Sequence, residues 1–190
     1  MYQTLLGDSS LYKFLLKLDE DLATRCREAG CSCGGPLHSA IYPRKPRGNP
    51  SAAEDDCNWR YSFCCAIDGC RSRSTPASFR FLGRRVFLGA VVVLVSAMRH
   101  GATPKRMAQL RELVGVSRRT VERWRQWWQK DFVRSPFWKA ARGRLQFQVD
   151  EGALPLSLLN SFLSDDDKTI LIGFLRFILP LTKPRFDYCF

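Results

Sequence analysis

Apolar and polar positions fall first into a helical rhythm. Leu11, Phe14, Leu15, Leu18 and Leu22 recur at spacings of three, four and seven, with Lys13, Lys17, Asp19, Glu20 and Asp21 on other faces. This predicts an amphipathic helix, capped at Ser9-Ser10 and ending near Ala29-Gly30, whose role is packing. From Cys31 to Pro50 the rhythm stops, and Gly34-Gly35-Pro36 and "YPRKPRGNPSAAEDD" read as loop. Residues 59–64, "WRYSFC", alternate large and small as a short strand does, and Ser74-Thr75-Pro76 closes that region. Leu82 to Arg99 predicts a buried helix. Gly101-Ala102-Thr103 then breaks the chain before Pro104, which starts a helix to about Leu113, and a further helix is expected from Arg118 to about Phe132. Beyond Ser135-Pro136, residues 137–147 suit another short helix. Two apolar segments, Leu154 to Leu163 and Thr169 to Leu179, are separated by the cap-like Ser164-Asp165-Asp166-Asp167.

The two most apolar stretches, "VFLGAVVVLVSAM" and Ile170 to Leu181 with Arg176 inside it, are shorter than the roughly 20 apolar residues of a spanning helix. They are expected to be buried rather than in a membrane. No secretory signal is visible at the N-terminus, so a cytoplasmic protein is expected. The pattern as a whole predicts a mostly α fold with a small β insert near the N-terminus. Four parts are expected: a helix over 1–30, a cysteine-bearing module over 31–76, a helical domain over 77–135 and a helical extension over 136–190.

Charge changes the picture. The chain of 190 residues carries a net +12, yet residues 1–70 are at −1 and residues 148–190 at −2, so residues 71–147 hold +15. A middle third carrying more than the whole excess reads as a localised polyanion-binding surface, against the plainer alternative of a solvated basic face. Arginine outnumbers lysine 22 to 8, which suits two-pronged contacts to phosphate or guanine, although codon usage produces the same ratio.

Cysteine adds a second chemistry. Cys31-Ser32-Cys33-Gly34-Gly35 supplies two thiols, and Cys64-Cys65 followed by Cys70 supplies more about thirty residues later. Reduced thiols clustered in this way bind metal more often than they pair, and two short loops each presenting two sulfurs are what a tetrahedral Zn2+ requires. The preferred ligands are Cys31, Cys33, Cys65 and Cys70, with Cys64, Cys57, Cys26 and His38 as candidates to replace one of them. Four thiolates leave no open position, so such a site would be structural, helping a small module to fold. The competing reading takes the cysteines as small buried hydrophobes.

The stretch "MAQLRELVGVSRRTVERWRQWW" completes the pattern. Leu110 and Leu113 mark a buried face, Gly115 permits a tight turn, Val116 plugs the space between helices and Ser117 caps the next one. Val121, Trp124 and Trp128 recur at three and four and are expected inward, leaving Arg119, Glu122, Arg123 and Gln126 outward with Arg118 at the first turn. A helix with this distribution suits a DNA major groove, with Arg118, Arg119 and Arg123 directed at guanine or phosphate, Thr120 at a phosphate, and Glu122 at cytosine or a neighbouring arginine. Arg71, Arg73, Arg84 and Arg85 are expected to hold the flanking duplex. The plainer reading is a helical hairpin with a polar outer face.

These residues carry a resemblance. "LRELVGVSRRTVERW" resembles the helix-turn-helix of bacterial transposases and site-specific DNA-binding proteins, and "FCCAIDGCRSRSTPASFRFLGRRVFLGAVVVL" is similar to the zinc ribbon that precedes it in insertion-sequence transposases. The likeness spans residues 31–132, departing at Arg111, where such motifs carry a small residue, and at the tight first thiol pair. It implies a zinc-stabilised module beside a helix that reads double-stranded DNA, and so a nucleoid-associated protein. The nearly all-round apolar run Ile170 to Leu179 suits burial in a core or an interface through the C-terminal helices, with a second copy in a homo-oligomer or with a transposase partner. A transposase of that kind would hold two metals on three acidic residues in a mixed sheet. The 58 residues after Phe132 contain no strand-rich region, no nucleophile motif stands out, and Gly83 and Gly89 lie in helical text rather than in a phosphate loop. The expectation is therefore a DNA-binding protein without catalysis of its own, with a zinc-containing interaction adaptor or an RNA-binding protein as alternatives.

Overall fold

The computed structural model describes residues 2–44, 46, 55–83, 87–98, 103–145 and 147–183. Among them the chain is mostly helical, with eight α-helices and two small antiparallel sheets. Helix α1 (Tyr2–Leu6) leads into α2 (Ser9–Ala29). The cap of α2 is Asp8, not the serines: its carboxylate accepts from the Ser10 amide at 2.9 Å. The buried stripe of α2 runs Leu11, Leu15, Asp19 and Ala23, four residues apart, whereas Phe14 is 41% exposed. Asp19, expected on the polar side, therefore points into the protein.

The strands come next: β1 (Leu37–Ser39), β2 (Tyr42–Pro43), β3 (Trp59–Arg60), β4 (Phe63–Cys65) and β5 (Arg73–Ser74). The stretch 59–64, read as one strand, divides between the two sheets: β3 pairs with β2, while β4 lies between β1 and β5. Ala23, Cys31, Leu37, Phe63 and Cys65 form a small apolar cluster beneath these strands.

The expected helix from Leu82 starts only at Gly89. Among the residues described before it, Gly83 sits at φ +56° and Phe81 forms an antiparallel bridge with Leu88. Helix α3 (Gly89–Ala97) is buried at every position and is packed by α1, α5, α7 and α8. A helix apolar on every face apart from Ser96 is stable when enclosed in this way. Around it run α4 (Pro104–Val114), α5 (Arg118–Gln126), a π-helical continuation (Trp127–Phe132), α6 (Pro136–Arg142), α7 (Leu156–Leu159) and α8 (Asp167–Phe177). Asp166 caps α8 by accepting from the amides of Lys168 and Thr169. The apolar run of α8 is taken into the protein's own core, where Leu171, Phe174, Leu175 and Ile178 are buried. No described helix is long and apolar enough to cross a membrane.

A buried polar junction joins the sheets to this helical body. Asp19 Oδ2 accepts from Ser78 Oγ at 2.5 Å and from Arg80 Nε at 2.9 Å, while Oδ1 accepts from the Phe79 amide at 2.6 Å. Arg80 donates onward to the Trp59 carbonyl at 2.9 Å, and Arg60 to the carbonyls of Pro76 at 2.6 Å and Thr182 at 3.3 Å. Helix α2, strand β3, segment 76–82 and the chain after α8 thus meet in one hydrogen-bonded network.

Candidate metal centre and nucleic-acid interface

Helix α2 ends because Gly30 adopts φ +69°, which sends the chain into a tight turn. That turn is closed by the Gly34 amide on the Cys31 carbonyl at 2.8 Å and the Cys31 amide on the Gly35 carbonyl at 3.0 Å. It feeds β1, whose antiparallel register on β4 sets Leu37 opposite Cys65. After β4 a second turn, with the Cys70 amide on the Ile67 carbonyl at 3.1 Å, carries Cys70 back toward Cys31.

All four predicted ligands are brought together. Cys31 Sγ lies 3.7 Å from Cys70 Sγ, Cys33 Sγ lies 3.5 Å from Cys65 Sγ, and the four sulfurs lie within 4.8 Å of one another. Sulfurs bound tetrahedrally at about 2.3 Å from one ion would be about 3.8 Å apart, so this group can hold a metal ion. Cys31 and Cys65 are buried, Cys70 is half-buried and Cys33 is exposed. The other candidates stand outside the group. Cys64 faces the opposite side of β4 and reaches the Arg71 carbonyl at 3.5 Å, and His38 pairs across from it on β1. Cys57 belongs to the main core, and Cys26 packs beside the small cluster.

The thiols perturb one another strongly. The Cys33 amide and then its thiol lower Cys31 to about 7 despite burial. At Cys65 the Ile67 amide pulls downward, but burial and the sulfurs of Cys33, Cys31 and Cys70 outweigh it and push the thiol up to about 12. A lowered thiol at Cys31 beside raised ones at Cys65 and Cys70 is a poised arrangement that a cation completes.

Gly35 is needed for space rather than for backbone freedom. A Cβ there would lie 2.8 Å from Cys65 Sγ and 2.4 Å from Ile67 Cγ1. Gly35→Ala is therefore expected to push Cys65 out of register and weaken metal retention by about tenfold or more, judged by the effect of displacing a group that orients ligands. Competition with a chromogenic chelator measures this, and unchanged retention would show that the turn absorbs the methyl.

The second candidate region is α4, its turn and α5. Thr103 accepts from the Arg106 amide at 3.4 Å and Pro104 takes the first helical position. Leu110 and Val114 are buried, while Leu113, expected inward, is 38% exposed. Gly115 closes α4 in the left-handed region at φ 60°, Val116 is fully buried, and Ser117 Oγ accepts from the Thr120 amide at 3.3 Å. Val121, Trp124 and Trp128 are buried behind α5, and Arg125 ties it to the Met98 carbonyl at 2.6 Å.

The outward side of α5 presents Arg118, Arg119, Glu122, Arg123 and Gln126, all exposed. Arg118 Nε pairs with Glu122 at 3.0 Å in an exposed contact worth little to stability. Arg119 has no hydrogen-bond or ion-pair partner among the described residues. Thr120 differs from expectation: it is 7% exposed, and its hydroxyl is engaged by Ser117 and by Arg123 NH2 at 3.4 Å, so it belongs to the cap.

The flanking arginines do not gather on α5. Arg71 pairs with Asp68 at 3.1 Å beside the Cys70 turn, and Arg73 lines a cleft beside Trp127 and Asp131. Arg84 and Arg85 lie outside the described residues. Arg80, counted in the basic surplus, is 1% exposed. The Asp19–Ser78–Arg80 junction went unforeseen because nothing in spacing links a helical aspartate to an arginine 61 residues away; its one signal was the place of Asp19 on the same four-residue stripe as Leu11 and Leu15. No protein-family profile, curated protein or solved structure matches the chain.

Proposed function

We propose that this is a sequence-specific DNA-binding protein in which α4, the Gly115-Val116-Ser117 turn and α5 act as a helix-turn-helix, and in which Cys31, Cys33, Cys65 and Cys70 hold a structural Zn2+ in a ribbon-like module. One observation carries the reading: an amphipathic α5, fixed from behind by Trp124 and Trp128, whose open side is made of Arg118, Arg119, Glu122, Arg123 and Gln126. Side chains of these kinds recognise phosphates and base edges in a major groove. Four thiolates and a tetrahedral spacing suit zinc, and a closed set of ligands gives it a folding role rather than a catalytic one. The mobile-element setting, as a regulator, an accessory factor or a catalytically incomplete transposase relative, rests on the sequence resemblance.

Selection from a random duplex pool tests this. The intact chain is expected to enrich a defined site, and Arg119→Ala to relax one position of it at about 1–3 kcal/mol. Enrichment of the same site by Arg119→Ala would remove that residue from base reading. An interaction adaptor is the second reading, favoured by Ile41, Trp59 and Ile67, each 44–48% exposed on the cysteine-bearing part. An adaptor would enrich no site from the pool.

A further inference from the structure

A cleft of ≈ 880 Å³ opens between the strands and the helical body, and its two sides differ in chemistry. One side brings Arg44, Arg60 and Arg73 from the strand region, and Lys183 lines the cleft next to Thr182, whose carbonyl accepts from Arg60. The other brings Trp127, Asp131 and Phe137. Asp131 is the one carboxylate among the described lining residues, so the cleft is cationic.

The cationic side is held in place. Arg60 is 4% exposed and is anchored by the Pro76 and Thr182 carbonyls, and Arg44 NH2 donates to the Gly83 carbonyl at 2.9 Å. The Arg60 guanidinium has five N–H donors, so its two carbonyl anchors leave others to offer. Arg73 is exposed and makes no hydrogen bond or ion pair among the described residues. The aromatic side owes its shape to the π-helical stretch Trp127–Phe132. Its i→i+5 bonding widens the turn, so Trp127, Asp131 and Phe132 all line the cleft, and π-helical turns of this kind recur at functional sites.

We infer that this cleft binds a nucleotide, with phosphate on the Arg73 and Lys183 side and the base against Trp127 and Phe137. Phosphate alone would leave the aromatic side unused, and an apolar ligand would bury cations without a counter-charge. Asp131 makes the site selective. Its carboxylate accepts two parallel hydrogen bonds from N1–H and N2–H of guanine, whereas thymine offers a single N3–H. The inference goes beyond the duplex reading and does not depend on it, since the outward side chains of α5 are not part of the cleft lining.

The test titrates the zinc-loaded full chain with dGMP, dTMP and inorganic phosphate, following indole fluorescence and calorimetry. Saturable dGMP binding is expected, with dTMP and phosphate roughly tenfold weaker or more. Arg73→Ala is expected to weaken dGMP about tenfold, as loss of a charge-assisted contact does. Asp131→Asn is expected to erase the preference for dGMP over dTMP. Both residues are exposed, and unchanged unfolding midpoints confirm that the variants fold. A short single strand that displaces dGMP identifies the ligand as a nucleotide within a strand; retained dGMP binding without displacement identifies the free nucleotide. No saturable dGMP binding, phosphate binding as tightly as dGMP, or wild-type affinities in both variants would overturn the inference. Arg119→Ala separates the two ideas, because it alters duplex selection and leaves dGMP binding in place.

Discussion

Cys65→Ser is expected to abolish stoichiometric zinc and to melt the cysteine-bearing part while α3 and its surroundings stay folded. The reason is how the apolar residues are divided. Cys31 and Cys65 are themselves two of the five buried residues in the small cluster, so this part of the protein has little core without its sulfurs joined. Structural zinc contributes about 10–16 kcal/mol in small peptides that fold around it, at least comparable to what so small a cluster supplies at about 1.5–3 kcal/mol for each large buried side chain. The main core, from Leu5 to Ile178, contains none of the four ligands. Hydrogen exchange is therefore expected to show lost protection in β1, β4 and β5 with protection retained in α3. Cys64→Ser, facing the other side of β4, is expected to keep its zinc. The reverse result for this pair would show that the ligand set is wrong.

The same centre is expected to lose affinity as pH falls. Binding requires thiolates, and in the metal-free protein Cys31 is lowered to about 7 while Cys65 is raised to about 12. The metal-free form thus holds protons that binding must expel. Each proton released on binding lowers affinity about tenfold per unit of falling pH, and the fall steepens below about 7, where Cys31 is protonated as well. Zinc competition across pH measures the slope.

Asp19→Ala is expected to destabilise the whole fold by about 3–5 kcal/mol, the usual effect of removing one partner from a buried ion pair. The Arg80 guanidinium, 1% exposed, would lose the Asp19 carboxylate it donates to, and Ser78 Oγ and the Phe79 amide would lose their acceptor. Such a loss is a large part of a typical stability of about 5–15 kcal/mol. Asp19→Ala combined with Arg80→Met is expected to recover much of it, because no guanidinium then faces the missing carboxylate. An unfolding free energy of Asp19→Ala within about 1 kcal/mol of the parent would mean that Asp19 does not hold this junction together.

Where the sequence could be read, the cause was local. Cys31, Cys33, Cys65 and Cys70 could be chosen because tight turns flank each pair, and the α4–α5 connection because Gly115 and Ser117 do their work within a few residues of their own positions. Asp8 rather than Ser9 caps α2, a shift of one residue that leaves the helix unchanged. The failures were tertiary. Asp19 is polar by type and inward by period, and only the arrival of Ser78 and Arg80 decides between the two. The apolar text before Gly89 looked helical, yet the turn at Gly83 and the Phe81–Leu88 bridge give it another fold. Thr120 stands near a helix start, where a hydroxyl can meet a phosphate, but that first turn is closed against Ser117 and the residue is buried. Arg80 shows that net charge by segment overstates the surface, since a buried cation attracts no polyanion.

Fluorescence anisotropy of a labelled duplex, titrated with the zinc-loaded chain across a range of salt, bears most directly on the role proposed for α5. Tight binding at low salt is expected, with log affinity falling linearly against log salt by about 0.9 per neutralised phosphate and a shallower slope in Arg119→Ala/Arg123→Ala. Absence of binding in dilute buffer, or a slope that the double substitution leaves unchanged, would contradict it.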